Sequence, residues 1–405
     1  MNLLFDCTEL SYFLEYSGYR AGVFFVALNL FRELRKYENI KITFVCNFKR
    51  YYFMKEVMNK VKEFEGIELL EEHSIINKFF GLLNYCVRNL PRKFVYGALS
   101  ISRYYENMFY IKNRKNTEQI KNFSVYFSPF TPAIAEITDC DSIKRFMLLH
   151  DTIPIMENNE KIPNNPRLWC YRLYNSINKN DFYLANSVNT KKDVQKYFPF
   201  IKNENIRVTL LGADDSFRPK IKQEQTQKYV LSLCTIGKRK NIEFTIRNFF
   251  KFIEQNNIKD LKLVLAGGLW KNYENDLNKA IAGFDKSKIE LTGYVNENLT
   301  ELYSNALFFV FPSLYEGFGL PVLEAMKCGC PVITSNTSSL PEVIGNAGIQ
   351  IDPTSDEEMI EAMTKMYKDE FFRQLCIERG LLRAQHFSWS KCASELLEFI
   401  KEKCV

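Results

Sequence analysis

At 405 residues, with 46% hydrophobic and 25% charged residues, the chain has the composition of a soluble globular protein and the length for two domains, each with its own core. Its eleven cysteines are scattered, odd in number and without a CxxC pair, which argues against a disulfide framework or a zinc ribbon and predicts buried reduced thiols. The net charge of +6 is concentrated: residues 78–115 hold eight basic residues against one acidic, Glu106, a balance of +7, so the rest is near neutral. No nucleic-acid partner is expected.

The opening MNLLFDCTEL has neither a basic n-region nor a cleavage site, and no apolar run reaches transmembrane length, so a cytoplasmic chain is expected. Residues 2–6 read as a buried strand, followed by a polar loop and a helix starting at Gly22. Residues 42–46 form a second strand. The basic stretch 78–115 reads as helix broken at Pro91, with aromatic and aliphatic residues between the cations. It suits either the surface of an anionic membrane, giving access to a lipid-linked acceptor, or a core helix pair with solvated cations.

Residues 125–128 are a strand ended by Pro129, and 145–149 are the next, delivering His150 where the ligand crevice of an open α/β sheet lies. Asp139-Cys140-Asp141 looks like a metal-binding Asp-x-Asp but precedes that strand instead of ending it, so no metal is expected. Strands at 181–186 and 206–211 follow, and the polar, turn-rich 218–227 marks a domain boundary. The second domain opens with a strand at 229–233; the loop CTIGKRKN then sets Arg239 and Lys240 before a helix from Ile242, where two cations face a strand-end crevice. Strands at 261–266 and 289–293 lead into Gly267-Gly268 and Tyr294-Val295, and a short helix occupies 298–304.

The chain is organised around FFVFPSLYEGFGLPVLEAMKCGCPVITSNTSSL, residues 308–340. A buried strand runs into a loop with two glycines, Glu316-Gly317-Phe318-Gly319-Leu320, and Pro321 opens a helix at its first position. Free amides at a helix start suit an anion, and glycines let a ligand approach the backbone. Carboxylates suit sugar hydroxyls, and Glu316 and Glu324 stand on either side. An anion cradle flanked by hydroxyl acceptors fits a nucleotide sugar. Beyond it come a strand near 348–351, two helices between Asp356 and Gln385, and an amphipathic helix after Phe387-Ser388.

The stretch SLYEGFGLPVLEAMKCGCPVITSNTSSLPEV resembles the Glu-x7-Glu motif of retaining glycosyltransferases of family 4. The resemblance is dense in the second domain and weak in the first. It implies the α/β GT-B fold: two Rossmann-like domains facing a central cleft, with the last helix crossing back to the N-terminal domain. The domains would be 1–217 plus 388–405 for the acceptor and 218–387 for the nucleotide-sugar donor. It implies transfer of a hexose, mannose from GDP-mannose as the first choice, to a saccharide or lipid-linked glycan, without a cofactor; a lipid-linked acceptor would bring the cytoplasmic chain to the inner face of the membrane. By resemblance, Lys240 and Arg239 meet the donor diphosphate, Glu316 and His150 (in HDTIP) the transferred sugar, and Glu324 the ribose. Gly317, Phe318, Gly319 and Leu320 form the cradle, and Tyr294-Val295 support the base. Gly22 matches the family's Gly-Ile-Gly-Arg loop, but this chain has Gly22-Val23-Phe24-Phe25, without the second glycine and the arginine. That departure keeps open a non-catalytic nucleotide-sugar-binding subunit; a GT-B sugar-nucleotide epimerase is the other alternative.

Overall fold

A computed structural model describes residues 1–15, 22–72, 74–109, 118–138, 140–165, 168, 170–220, 228–268, 273–295 and 298–404. The chain divides into two units. The first comprises Met1–Asn186, Thr190–Thr209 and Ser390–Val405, the second Ser187–Asn189 and Leu210–Trp389. Residues 210–217 and 388–389 thus group with the second unit.

The first unit is a seven-stranded parallel sheet in the order β3-β2-β1-β4-β5-β6-β7. Its strands are β1 (Asn2–Asp6), β2 (Lys41–Val45), β3 (Glu68–Leu69), β4 (Val125–Ser128), β5 (Lys144–Leu149), β6 (Phe182–Ala185) and β7 (Ile206–Val208). Both faces of the central strands are covered, so they carry continuous apolar runs instead of alternation. Leu3, Leu4 and Phe5 are wholly buried, and Phe5 packs edge-on against Phe31 and Phe127. At two residues, β3 is too short to carry a sequence period, and it was not predicted. β7 stops at Val208, short of the predicted Leu211, although the Thr209 amide still donates to the Ala185 carbonyl at 2.8 Å. The last helix, Trp389–Cys404, belongs to this unit from Ser390 onward, with Phe399 against Phe146 and Phe182.

The basic region forms two helices, Ile75–Cys86 and Arg92–Phe109, joined through a 3-10 turn and Pro91. They meet through Asn84, whose side-chain amide donates to Ser102 Oγ at 2.9 Å, and through Phe80 stacked on Tyr105. Their other side is apolar and exposed: Phe79 is 61% exposed, Phe94 52% and Ile101 59%. Arg88 is not available to a ligand, because it pairs with Glu56. Lys112, Arg114 and Lys115 lie outside the described residues. Nine of the cysteines are buried, as predicted, but Cys86 and Cys404 are exposed.

The second unit is a six-stranded parallel sheet in the order β10-β9-β8-β11-β12-β13. Its strands are β8 (Lys228–Leu233), β9 (Leu261–Ala266), β10 (Ile289–Gly293), β11 (Phe308–Phe311), β12 (Val332–Ser335) and β13 (Ile349–Ile351). In each sheet the direction of winding reverses beside the first strand of its unit, between β1 and β4 and between β8 and β11. Open sheets take their ligands at such switch points, beyond the carboxyl ends of the strands.

Candidate functional site

The switch point of the second sheet brings together the loops after β8 and β11. Asn241 ends the turn Lys238–Lys240 in the left-handed region, φ 59°, and its side-chain amide donates to the carbonyls of Pro312 (3.2 Å) and Pro353 (2.7 Å). The Leu314 amide donates back to the Arg239 carbonyl at 2.9 Å. The loop is thereby fixed against residues 312–316, and its two cations converge on one carboxylate. Lys240 Nζ lies 2.5 Å and Arg239 Nη1 3.0 Å from Glu316 Oε1, and Ser313 Oγ donates to the same oxygen at 2.5 Å. Glu316 is 8% exposed. Burial by itself would raise its carboxyl, but Lys240 and then Arg239 outweigh that and hold it below the ordinary range. The arrangement is a carboxylate with two cations in reach, set to meet a second anion.

Beside it the strand-to-helix loop presents amides. The helix Leu320–Lys327 starts after Gly319, at φ 115°, where a Cβ would lie 2.8 Å from Leu340 Cδ2; only glycine fits. Leu320 is the first helical residue and Pro321 the second, so the helix starts one residue earlier than predicted. The amides of Phe318, Gly319 and Leu320 donate to no acceptor among the described residues, while the carbonyls of Gly317 and Phe318 are held by Ser187 and Ser339 at 2.8 Å each. The Phe318 ring is buried against Phe387, so this residue can offer a ligand only its backbone.

Glu324, on the second turn of that helix, is half-buried and accepts a hydrogen bond from the Tyr303 hydroxyl at 3.0 Å. Burial pushes its carboxyl up to about 7, with Tyr303 pulling it down and Asp214 pushing it further up. Near neutrality it therefore exists in both protonation states. Tyr294 and Val295 follow β10, the edge strand two places from β8, hence roughly 10 Å across the sheet from the Lys240 loop. Tyr294 is 38% exposed. The Gly293 carbonyl accepts from the Gly267 amide at 2.8 Å, so the ends of β9 and β10 are tied together.

Gly22 and His150 belong to the first unit. Gly22 begins the helix Gly22–Leu34 and is exposed; Phe24, where the resembled loop has its second glycine, is buried in the core. His150 follows β5. Its Nε2 lies 2.7 Å from the Pro129 carbonyl, which can only accept, so Nε2 carries the hydrogen. Burial lowers its pKa to about 4 against the opposing effect of that bond, and the imidazole is neutral at physiological pH. Asp139 lies outside the described residues.

The site also contains residues that sequence reasoning missed. Ser313 is wholly buried and donates to the key carboxylate, and Ser338, at φ 54°, accepts the Glu316 amide at 3.0 Å. Tyr303 sets the environment of Glu324. Pro341, in the first turn of the helix Leu340–Ile344 just after Ser338 and Ser339, was the available signal for a structured turn there.

Residues 213–383 match the family described as "Glycosyl transferases group 1". The chain is 36% identical over 178 residues to the O-antigen chain mannosyltransferase B of Escherichia coli, covering 43% of this chain and 46% of that protein. It is 29% identical over 273 residues to the serotype-specific mannosyltransferase WbdA of Escherichia coli, covering 63% of this chain and 33% of that protein. The matches thus span less than half the length of these relatives. Among solved structures, Anabaena HepE in complex with UDP and glucose superposes with a TM-score of 0.68 at 14% identity, covering 99% of this chain and 100% of that one. WaaG, described as a glycosyltransferase involved in lipopolysaccharide biosynthesis, superposes with a TM-score of 0.64 at 14% identity, covering 97% and 98%. These two likenesses establish a GT-B fold.

Proposed function

We propose that this chain, a member of the group 1 glycosyl transferases through residues 213–383, transfers a hexose with retention from a nucleotide-diphosphate sugar to a hydroxyl of a saccharide or lipid-linked glycan. The observation that carries this reading is the convergence of Lys240 and Arg239 on Glu316 beside unpaired amides at a sheet's switch point. Cleavage of the anomeric C–O bond leaves negative charge on the diphosphate, to be met by Lys240, Arg239 and the amides of 318–320. Glu316 would hold the transferred sugar, Glu324 the ribose hydroxyls, and Tyr294-Val295 the base. The acceptor hydroxyl attacks on the face from which the diphosphate departs, and its proton passes to the departing phosphate oxygen. In this reading the protein side chains supply the stabilising charge and no metal is used. The relatives named as mannosyltransferases favour mannose, and GDP-mannose is the first donor to test.

Slow release of free sugar from a panel of GDP-, UDP- and dTDP-hexoses checks the proposal, with GDP-mannose expected to be cleaved fastest. Binding of a donor with no cleavage of any would instead mark a nucleotide-sugar-binding subunit.

A lipid-linked acceptor would also give the exposed face of the helices Ile75–Cys86 and Arg92–Phe109 a purpose. Phe79, Phe94 and Ile101 can enter a bilayer while Lys78 and Lys93, both exposed, meet anionic headgroups. Each such cation contributes about 1 kcal/mol, a term that salt screens. Among the described residues no helix is long and apolar enough to cross a membrane, so the proposed contact is peripheral. The protein should sediment with anionic vesicles at low salt. Changing Lys78 and Lys93 to Glu together with Phe79 to Ser should return it to the supernatant with its melting temperature retained. Wild-type protein that stays in the supernatant would exclude this face as a membrane anchor.

A further inference from the structure

The first sheet has its own switch point, between β1 and β4, which the donor chemistry leaves unused. Just beyond β1 stand Cys7, Thr8 and Glu9; just beyond β4 stand Pro129 and Phe130, with His150 following the neighbouring β5. Glu9 opens a 3-10 turn, Glu9–Tyr12. Other carboxylates on this edge are engaged. Asp6 accepts the Thr8 amide at 2.9 Å and the Tyr126 hydroxyl at 2.7 Å, Asp151 accepts the Ile153 amide at 3.0 Å, and Glu15 pairs with Arg50. Arg50 is committed as well: it donates to Ser11 Oγ at 2.7 Å and lies 3.8 Å from the ring centroids of both Tyr12 and Phe53. Glu9 makes no hydrogen bond or ion pair among the described residues. Its carboxyl is raised to about 7 by burial, with Arg50 pulling it down and Asp6 pushing it up.

A half-buried carboxyl with no partner among the described residues costs free energy that a structural carboxyl at the same edge recovers through hydrogen bonds. We propose that Glu9 is a binding residue of the acceptor site, its carboxyl accepting hydrogen bonds from the hydroxyls of an uncharged hexose at the switch point of the first sheet. The chemistry selects that class. Hydroxyls donate to a carboxylate, whereas a uronic acid or a phosphorylated sugar would place a second anion beside Glu9 and the buried Asp6. A cation is a poor alternative, since the described residues include no group of three or more potential metal ligands. The inference rests on the transferase reading and deepens it by naming the acceptor's class.

The test uses the full chain, the donor cleaved fastest in the panel, and octyl glycosides of mannose, glucose and galactose beside octyl glucuronide as acceptors. The wild type should glycosylate a neutral glycoside and not the glucuronide. Glu9→Ala should raise the KM for that acceptor about ten- to a hundredfold, the worth of one charge-assisted hydrogen bond, and Glu9→Gln should raise it less. Affinity for the free nucleoside diphosphate, measured by calorimetry, reports whether each variant is folded; Glu9→Gln, nearly isosteric, carries the test if the alanine variant does not fold. An unchanged acceptor KM in the folded variants, preference for the glucuronide, or no transfer to any neutral glycoside overturns the inference. Absence of donor cleavage before any acceptor is added overturns the transferase reading itself.

Discussion

Glu316→Gln should lower turnover about a hundred- to a thousandfold, the loss expected when one preorganised electrostatic group of a reaction centre is removed. The side chain keeps its shape and can still accept from Ser313, but the charge that gathers Lys240 and Arg239 onto a single oxygen is gone. Donor affinity should change far less than kcat, because both cations remain to meet the diphosphate. Stability should respond in a definite direction. The Glu316 carboxyl is held below its ordinary value, so its contribution to stability is present above about pH 4.3 and is lost as pH falls through the folded value. The variant should melt a few degrees below the wild type at pH 7, and the gap should narrow on acidification. Glu316→Ala is the poorer probe: it leaves Lys240, 13% exposed at its side chain, without a counter-charge, and breaking a buried pair costs about 3–5 kcal/mol. Turnover by Glu316→Gln at the wild-type rate would reduce this carboxylate to a structural counter-ion.

Lys240→Ala should weaken the free nucleoside diphosphate about ten- to a hundredfold while leaving the nucleoside unaffected, both measured by calorimetry. Lys240 is placed for this role by its loop and by the Phe311 ring, 4.8 Å from its ammonium. Arg239, the more exposed of the two at 32%, also donates to the Tyr315 carbonyl at 2.5 Å, which anchors it in the loop. Arg239→Ala alone should therefore cost less. The double variant should lose more than the sum of the single losses if each cation covers for the other. Equal weakening of nucleoside and diphosphate by Lys240→Ala would show that the residue only holds the loop.

The strands and their buried faces were legible in the sequence, because parallel strands covered on both sides carry unbroken apolar runs. Phe308–Phe311, residues 125–127 of β4 and residues 263–266 of β9 are such runs. The cradle was legible for a local reason as well. Gly317, Gly319 and Pro321 stand within five positions, and the backbone conformations they permit define a strand-to-helix turn without reference to the rest of the chain. By contrast, β3 was hidden because two residues have no period, and Arg88 read as a free cation because its partner, Glu56, lies 32 positions away. Only the tertiary structure decided that Lys240 and Glu316, 76 positions apart, share one contact. It likewise decided that Glu324 sits against Tyr303 near Asp214, and that Asp6, Asp151 and Glu15 are engaged while Glu9 has no hydrogen bond or ion pair among the described residues. Those facts depend on which strands lie side by side. β8 and β11 become neighbours through crossovers that local periodicity does not encode, and the charge state of a carboxyl follows from the neighbours that strand order gives it.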